Sequence, residues 1–208
     1  HKLVAYDNLI TGLQYISSAL TGNPYTGNGR NLSYRKDLFF AHKGYYKSLS
    51  LHAGDDDLFI NESANAQNTW VEYSPESITE MAKIDRFSMW KEMKVSRAAT
   101  QRYYKGWNLT FFRIESLSYF LFFIAVIASI VMGILGNWLI SILAGLLYII
   151  RFSTKAAILH KSAKLLQQKP VTGWLFLLEL LLPLFNLYVR IYRIFRGKND
   201  YTFRLGNK

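Results

Sequence analysis

Three carboxylates stand in a row behind a glycine, Gly54-Asp55-Asp56-Asp57, with the apolar run Leu58-Phe59-Ile60 after them. Adjacent anions repel one another, and the N-terminus of a helix is a place where the macrodipole partly offsets that repulsion. Two readings are open. The trio is a solvated helix cap, or it holds a base, because a close carboxylate neighbour tends to raise one of the pKa values. A calcium loop fits less well, since the ligand spacing of an EF-hand is absent. Arg30 and Asn31, in the stretch Gly29-Arg30-Asn31, carry groups that hydrogen-bond sugar hydroxyls or a phosphate, or they mark a turn that faces water. Lys94 and Arg97 suit a departing anion or anionic lipid headgroups. The four histidines are scattered, without metal-ligand spacing. Cysteine is absent, which excludes disulfides and thiolate metal sites.

The elements that must position these residues are legible in outline. Leu9, Ile10, Leu13, Ile16 and Leu20 recur at helical spacing, so Leu3 to Leu20 reads as an amphipathic helix. Thr21 to Asn31 is rich in Gly, Asn and Pro and reads as a loop. Its glycine spacing is wrong for a phosphate-cradling loop and no strand precedes it. Asn31 to Arg35 and Thr69 to Tyr73 alternate apolar and polar residues, the pattern of short strands. Asp37 caps a helix that Gly44 ends. The acidic trio opens the next helix, from His52-Ala53-Gly54 onward. Pro75 to Arg86 is a linker into a basic amphipathic helix from Phe87 to Tyr104, expected at a bilayer surface.

The second half is apolar. Leu117 to Leu135 holds no charged residue, and about 20 residues of helix cross a hydrocarbon core. Gly136-Asn137 is a turn signal, and Trp138 to Ile150 is apolar again up to Arg151. A tight transmembrane hairpin is expected. Ser153 to Lys169 is basic and amphipathic and is expected on the membrane surface. Val171 to Phe195 is apolar but interrupted by Glu179, Pro183 and Asn186. A single crossing there would leave Arg190, Arg193, Arg196 and Lys198 on the far side, against the positive-inside rule. The expectation is a re-entrant or interfacial segment, with a third span as the alternative. The net charge of +11 is concentrated at the borders of these apolar runs, which suits anionic membrane lipids. No nucleic-acid recognition motif accompanies it.

Three stretches together carry a resemblance: Pro24 to Lys36 (PYTGNGRNLSYRK), Gly54 to Asn61 (GDDDLFIN) and Lys94 to Lys105 (KVSRAATQRYYK), followed by the hydrophobic hairpin. In this order the chain resembles the C-terminal half of a bacterial membrane-bound family 2 glycosyltransferase. The resemblance implies an α/β fold, the C-terminal portion of a GT-A-like domain whose Rossmann-like sheet binds the nucleotide sugar through its other half. It implies that the sequence begins mid-domain and that the fragment is inactive without the nucleotide-binding half. A divalent metal, Mg or Mn, is expected in the full-length enzyme, with ligands mostly outside these 208 residues.

By the same resemblance Asp56 is the base of an inverting hexosyl transfer, with Asp55 and Asp57 beside it. Arg30 and Asn31 lie in a loop beneath the acceptor pocket. The family's Gln-x-x-Arg-Trp motif has its nearest counterpart in Lys94-Val95-Ser96-Arg97-Ala98, where Lys replaces Gln and Ala replaces Trp. That departure keeps Arg97 for the diphosphate and puts acceptor stacking in doubt. The implied partners are a nucleotide sugar, a lipid-linked or glycan acceptor and anionic lipid. The implied location is the bacterial inner membrane, multi-pass, with the polar half cytoplasmic. The expected parts are an acceptor-side part of a GT-A-like catalytic domain over 1–86, an amphipathic interfacial helix region over 87–115, a transmembrane hairpin over 116–152, and a basic amphipathic and re-entrant or third membrane segment with a cytoplasmic tail over 153–208. A different class remains beside it, a non-catalytic membrane adaptor that binds anionic lipid or a partner subunit.

Overall fold

The structure is a computed structural model that describes residues 2–46, 48–51, 53–80, 84 and 86–196. The expectations for Lys198 and the tail, for His52, and for 81–83 and 85 of the linker lie outside the described residues. Among the described residues seven α-helices follow one another: α1 (Lys2–Leu20), α2 (Lys36–Ala41), α3 (Asp57–Ser63), α4 (Phe87–Thr100), α5 (Asn108–Leu135), α6 (Trp138–Leu165) and α7 (Leu175–Phe195). Short 3-10 turns occupy Gly29–Asn31, Pro75–Ser77, Gln101–Tyr103 and Thr172–Trp174.

The expected α/β architecture is overturned. Helix, with the 3-10 turns included, makes up 71% of the described residues and no β-strand occurs among them, so they hold no GT-A-like sheet. Both expected strands are irregular. Gly29–Asn31 is a 3-10 turn followed by extended Leu32, and Thr69 to Tyr73 has no regular structure. The physical reason is that alternation fits a strand to a pleated surface, while the strand itself exists only through a neighbour's backbone. Side chains take part of the backbone bonding here instead: the Asn31 amide donates to the Ser77 carbonyl at 2.9 Å, and the Ser74 N–H donates to Glu72 Oε1 at 2.8 Å. The Phe87–Tyr104 helix ends at Thr100 and tightens into the Gln101–Tyr103 turn. The surface segment expected from Ser153 is continuous with α6.

The chain divides into two compact units, 1–108 with 176–208 and 109–175. In the first, α1 buries Tyr6 and Leu9, α3 buries Phe59 and Ile60, α4 buries Trp90, Val95 and Ala99, and α7 buries Leu178, Leu182 and Val189. Trp90 stacks on Phe185 with ring centroids 4.3 Å apart and planes 11° from parallel, which fastens α7 to α4. Phe59 also lies against Tyr34, Phe39 and Tyr45, at 4.8, 5.7 and 6.1 Å between centroids.

The second unit is an antiparallel helical hairpin. Asn137 accepts from the Leu139 N–H and caps α6. A side chain at Gly133 would collide with the Ser141 backbone nitrogen at 2.6 Å, so glycine permits the close approach of α5 and α6. Ser141 Oγ donates to the Ile130 carbonyl at 3.0 Å, and the Arg151 guanidinium lies 5.0 and 4.8 Å from the Tyr119 and Phe122 ring centres. Thr110–Leu135, Trp138–Leu165 and Thr172–Phe195 are long and apolar enough to cross a membrane, and this is a membrane protein.

Candidate functional site

The acidic trio divides into three environments within three residues. Gly54 has φ +117, a conformation that suits glycine, and a Cβ there would lie 2.6 Å from Leu58 Cδ1. The chain then turns into α3. Asp55 is exposed, Asp56 is half-buried and Asp57 is 5% exposed. Asp56 is the N-cap of α3. Its Oδ1 accepts from the Asp57 N–H at 2.7 Å and its Oδ2 from the Gly29 N–H at 2.7 Å. The Gly29–Asn31 turn, 27 residues away in sequence, therefore sits on the Asp56 carboxylate.

Asp57 points the other way, into the unit. Its Oδ1 takes the Leu58 N–H at 2.8 Å, while Oδ2 receives Thr100 Oγ1 at 2.5 Å and the Tyr104 hydroxyl at 2.8 Å. Burial pushes the Asp57 carboxyl above its ordinary value; the hydrogen bonds from Thr100 and Tyr104 pull it back in part, and the Asp56 charge raises it again. Burial, then the Asp57 charge, likewise raises the Tyr104 phenol. Tyr104 is 2.9 Å from Thr26 Oγ1 and its ring meets Tyr25 edge-on at 6.2 Å. Asn61, one turn along α3, clasps the same segments: its amide donates to the Tyr25 carbonyl at 2.8 Å and its oxygen accepts from the Lys105 N–H at 2.7 Å.

The other residues singled out from sequence fall at different distances from this centre. Arg97 lies one turn before Thr100 on α4, and its positive charge lowers the Tyr104 and Tyr15 phenols, both of which burial raises on balance. Lys94 is committed elsewhere: its ammonium pairs with Asp7 of α1 at 2.6 Å, beside the Trp90 indole N–H, which donates to the same carboxylate at 3.1 Å. Arg30 is exposed, and the Asn31 amide is spent on Ser77. The carboxylate oxygens of Asp56 and Asp57 accept five donors, and no cluster of three His, Cys, Asp or Glu able to hold a metal occurs among the described residues. These residues do not fit a divalent cation.

Sequence reasoning missed Thr100, Tyr104, Thr26 and Asn61. A signal for two of them existed. Thr100 and Tyr104 are four residues apart just past Arg97, and a buried acid must find hydroxyl or N–H donors. Near the site lies a cavity of about 230 Å³ lined in part by Tyr45, Ser48, Phe59, Glu62, Tyr103 and Lys105.

No family model, no curated protein and no solved structure matches the chain.

Proposed function

We propose that this protein is part of an inverting glycosyltransferase that moves a hexosyl group from a nucleotide sugar to a hydroxyl of a lipid-linked or glycan acceptor. It does so at the bacterial inner membrane with its polar part cytoplasmic. The observation that supports this reading most is convergence. The three stretches that carry the resemblance, distant in sequence, meet around two adjacent aspartates: Gly29 bonds Asp56, and Thr100 and Tyr104 bond Asp57.

In the proposed step Asp56 is the base. Two backbone N–H groups fix its carboxylate and leave each oxygen a further lone pair for an acceptor hydroxyl. The acceptor oxygen forms a bond to the anomeric carbon as the bond from that carbon to the diphosphate oxygen breaks. The electron pair leaves with the diphosphate, and the hydroxyl proton goes to Asp56. Arg97 offsets charge on the departing diphosphate. Asp57, with its neutral donors, holds the first turn of α3 and so positions Asp56. The basic borders of the apolar helices hold anionic lipid.

The test is transfer from a panel of radiolabelled UDP- and GDP-hexoses in native membranes containing the protein as its host makes it. Asp56→Asn is expected to lower transfer by about 10²- to 10⁴-fold, the size of a lost general base, with Asp55→Asn close to wild type. Retained transfer in Asp56→Asn overturns the base assignment. Absence of transfer from every donor in wild-type membranes overturns the reading itself.

A further inference from the structure

Helix α7 has the length and composition of a membrane span, yet its contacts forbid one. The hairpin returns the chain to the side from which it set out: α5 crosses, the chain turns at Gly136-Asn137, and α6 runs back antiparallel with Ser141 bonded to Ile130 and Arg151 against Tyr119 and Phe122. The link from α6 to α7 is turned rather than extended. The Gln167 and Gln168 N–H groups bond back to Lys164 and Ala163, and Thr172–Trp174 is a 3-10 turn. The start of α7 is therefore on the near side.

Its other end is fixed there too. Phe185 lies against Phe87 and Trp90, Tyr192 lies 4.5 Å from the Lys91 ammonium, and Arg196 pairs with Glu92. All four of those partners belong to the first half of α4. Helix α4 is joined to the start of α5 by 101–107, which include a 3-10 turn and the polar Gln101, Arg102 and Lys105. Seven residues fully extended span about 25 Å, less than a hydrocarbon core of about 30 Å. Lys91, Glu92, Lys94 and Arg97 keep α4 itself out of a hydrocarbon core, so its first half lies on the same side as its end, and both ends of α7 lie there with it.

We infer that α7 does not cross the bilayer but lies along its near surface as an in-plane anchor. One stripe packs inward through Leu178, Leu182 and Val189, while Leu177, Leu181, Leu184, Tyr188, Ile191 and Phe195 form an exposed stripe at alternating four- and three-residue spacing. The occupant of that stripe is lipid, because the helix follows directly from a membrane hairpin and both its ends stay at one interface. Such a helix sinks its apolar face about 5–10 Å into the headgroup and acyl boundary. It also sets the depth of α4, and with it Arg97 and Thr100.

The chain has no cysteine, so single-cysteine variants report cleanly. In sealed, oriented vesicles carrying the full chain, an impermeant maleimide is expected to label Glu80→Cys and Arg190→Cys from one side and Gly136→Cys from the other. Labelling of Arg190→Cys together with Gly136→Cys overturns the proposal. Nitroxides at Leu177→Cys, Leu184→Cys and Ile191→Cys then separate occupants. Oxygen collision with equal, shallow depth at all three is the expected result. A profile deepest at Leu184 shows insertion and overturns the in-plane helix. Shielding of all three from both oxygen and a nickel chelate shows a protein cover, such as a second copy, and overturns lipid as the occupant. Neither readout depends on sugar transfer.

Discussion

Asp7 and Asp57 are equally buried, each 5% exposed, and α4 serves both, but with different chemistry at its two ends. At the first end Lys94 gives Asp7 a full counter-charge and Trp90 adds an N–H. At the second end Asp57 has only hydroxyls and one backbone N–H for company. A paired charge is a joint between helices: it fixes α4 to α1. A buried acid held by neutral donors is in a different position, since its charged and neutral forms are closer in energy and burial favours the neutral one. Helix α4 therefore carries one half of a structural rivet, Lys94, and less than two turns later Thr100, a neutral donor to the buried acid of α3.

The comparison breaks most severely at the rivet. Lys94→Met is expected to cost about 3–5 kcal/mol of stability, the loss on leaving one partner of a buried pair uncompensated. Thermal unfolding of the detergent-solubilised chain measures it. Adding Asp7→Leu to Lys94→Met is expected to recover most of that loss, because the penalty lies in the orphaned charge and not in the missing bond. At the other end Asp57→Ala removes the acceptor for two hydroxyls and an N–H and is expected to cost about 1–3 kcal/mol. Thr100→Val, which removes one donor from the same carboxylate, is expected to cost about 1 kcal/mol.

Acid sharpens the contrast. The folded-state pKa of Asp57 is raised above its unfolded value, so its stabilising contribution is fully present below the unfolded value, about 3.9, and is lost as pH rises through the folded value. Wild type is accordingly expected to gain stability relative to Asp57→Asn as pH falls from 7 into that window. A pH-independent difference between the two proteins would overturn the raised folded-state value of Asp57.

How much of this was readable beforehand depends on the range of the interaction. Helix α1, the hairpin and the acidic N-cap at Asp56 rest on periodicity, turn chemistry and dipoles that act within a few residues, and the sequence displays them directly. The two strands failed because Leu32 to Arg35 and Thr69 to Tyr73 have strand-like side chains but no described backbone beside them to pair with, and a sequence pattern does not state its partner. The site was legible as three separate stretches. Their assembly was not, since Asp57 meets Thr100 and Tyr104 across 43 and 47 residues. Lys94 illustrates the same limit from the other side. Its type and spacing suited an anion ligand, and its anion turned out to be Asp7, 87 residues away.

The contact between Thr26 and Tyr104 has a direction as well as a length. A hydroxyl owns one hydrogen. While Tyr104 gives its hydrogen to Asp57, Thr26 must be the donor in the 2.9 Å contact with Tyr104. A proton on Asp57 Oδ2, shared with Tyr104, reverses the order: Asp57 gives, Tyr104 turns to give to Thr26, and Thr26 becomes the acceptor. The loop that carries Gly29 thus registers the charge of an acid it does not touch, by the rotation of two hydrogens and without the displacement of a heavier atom.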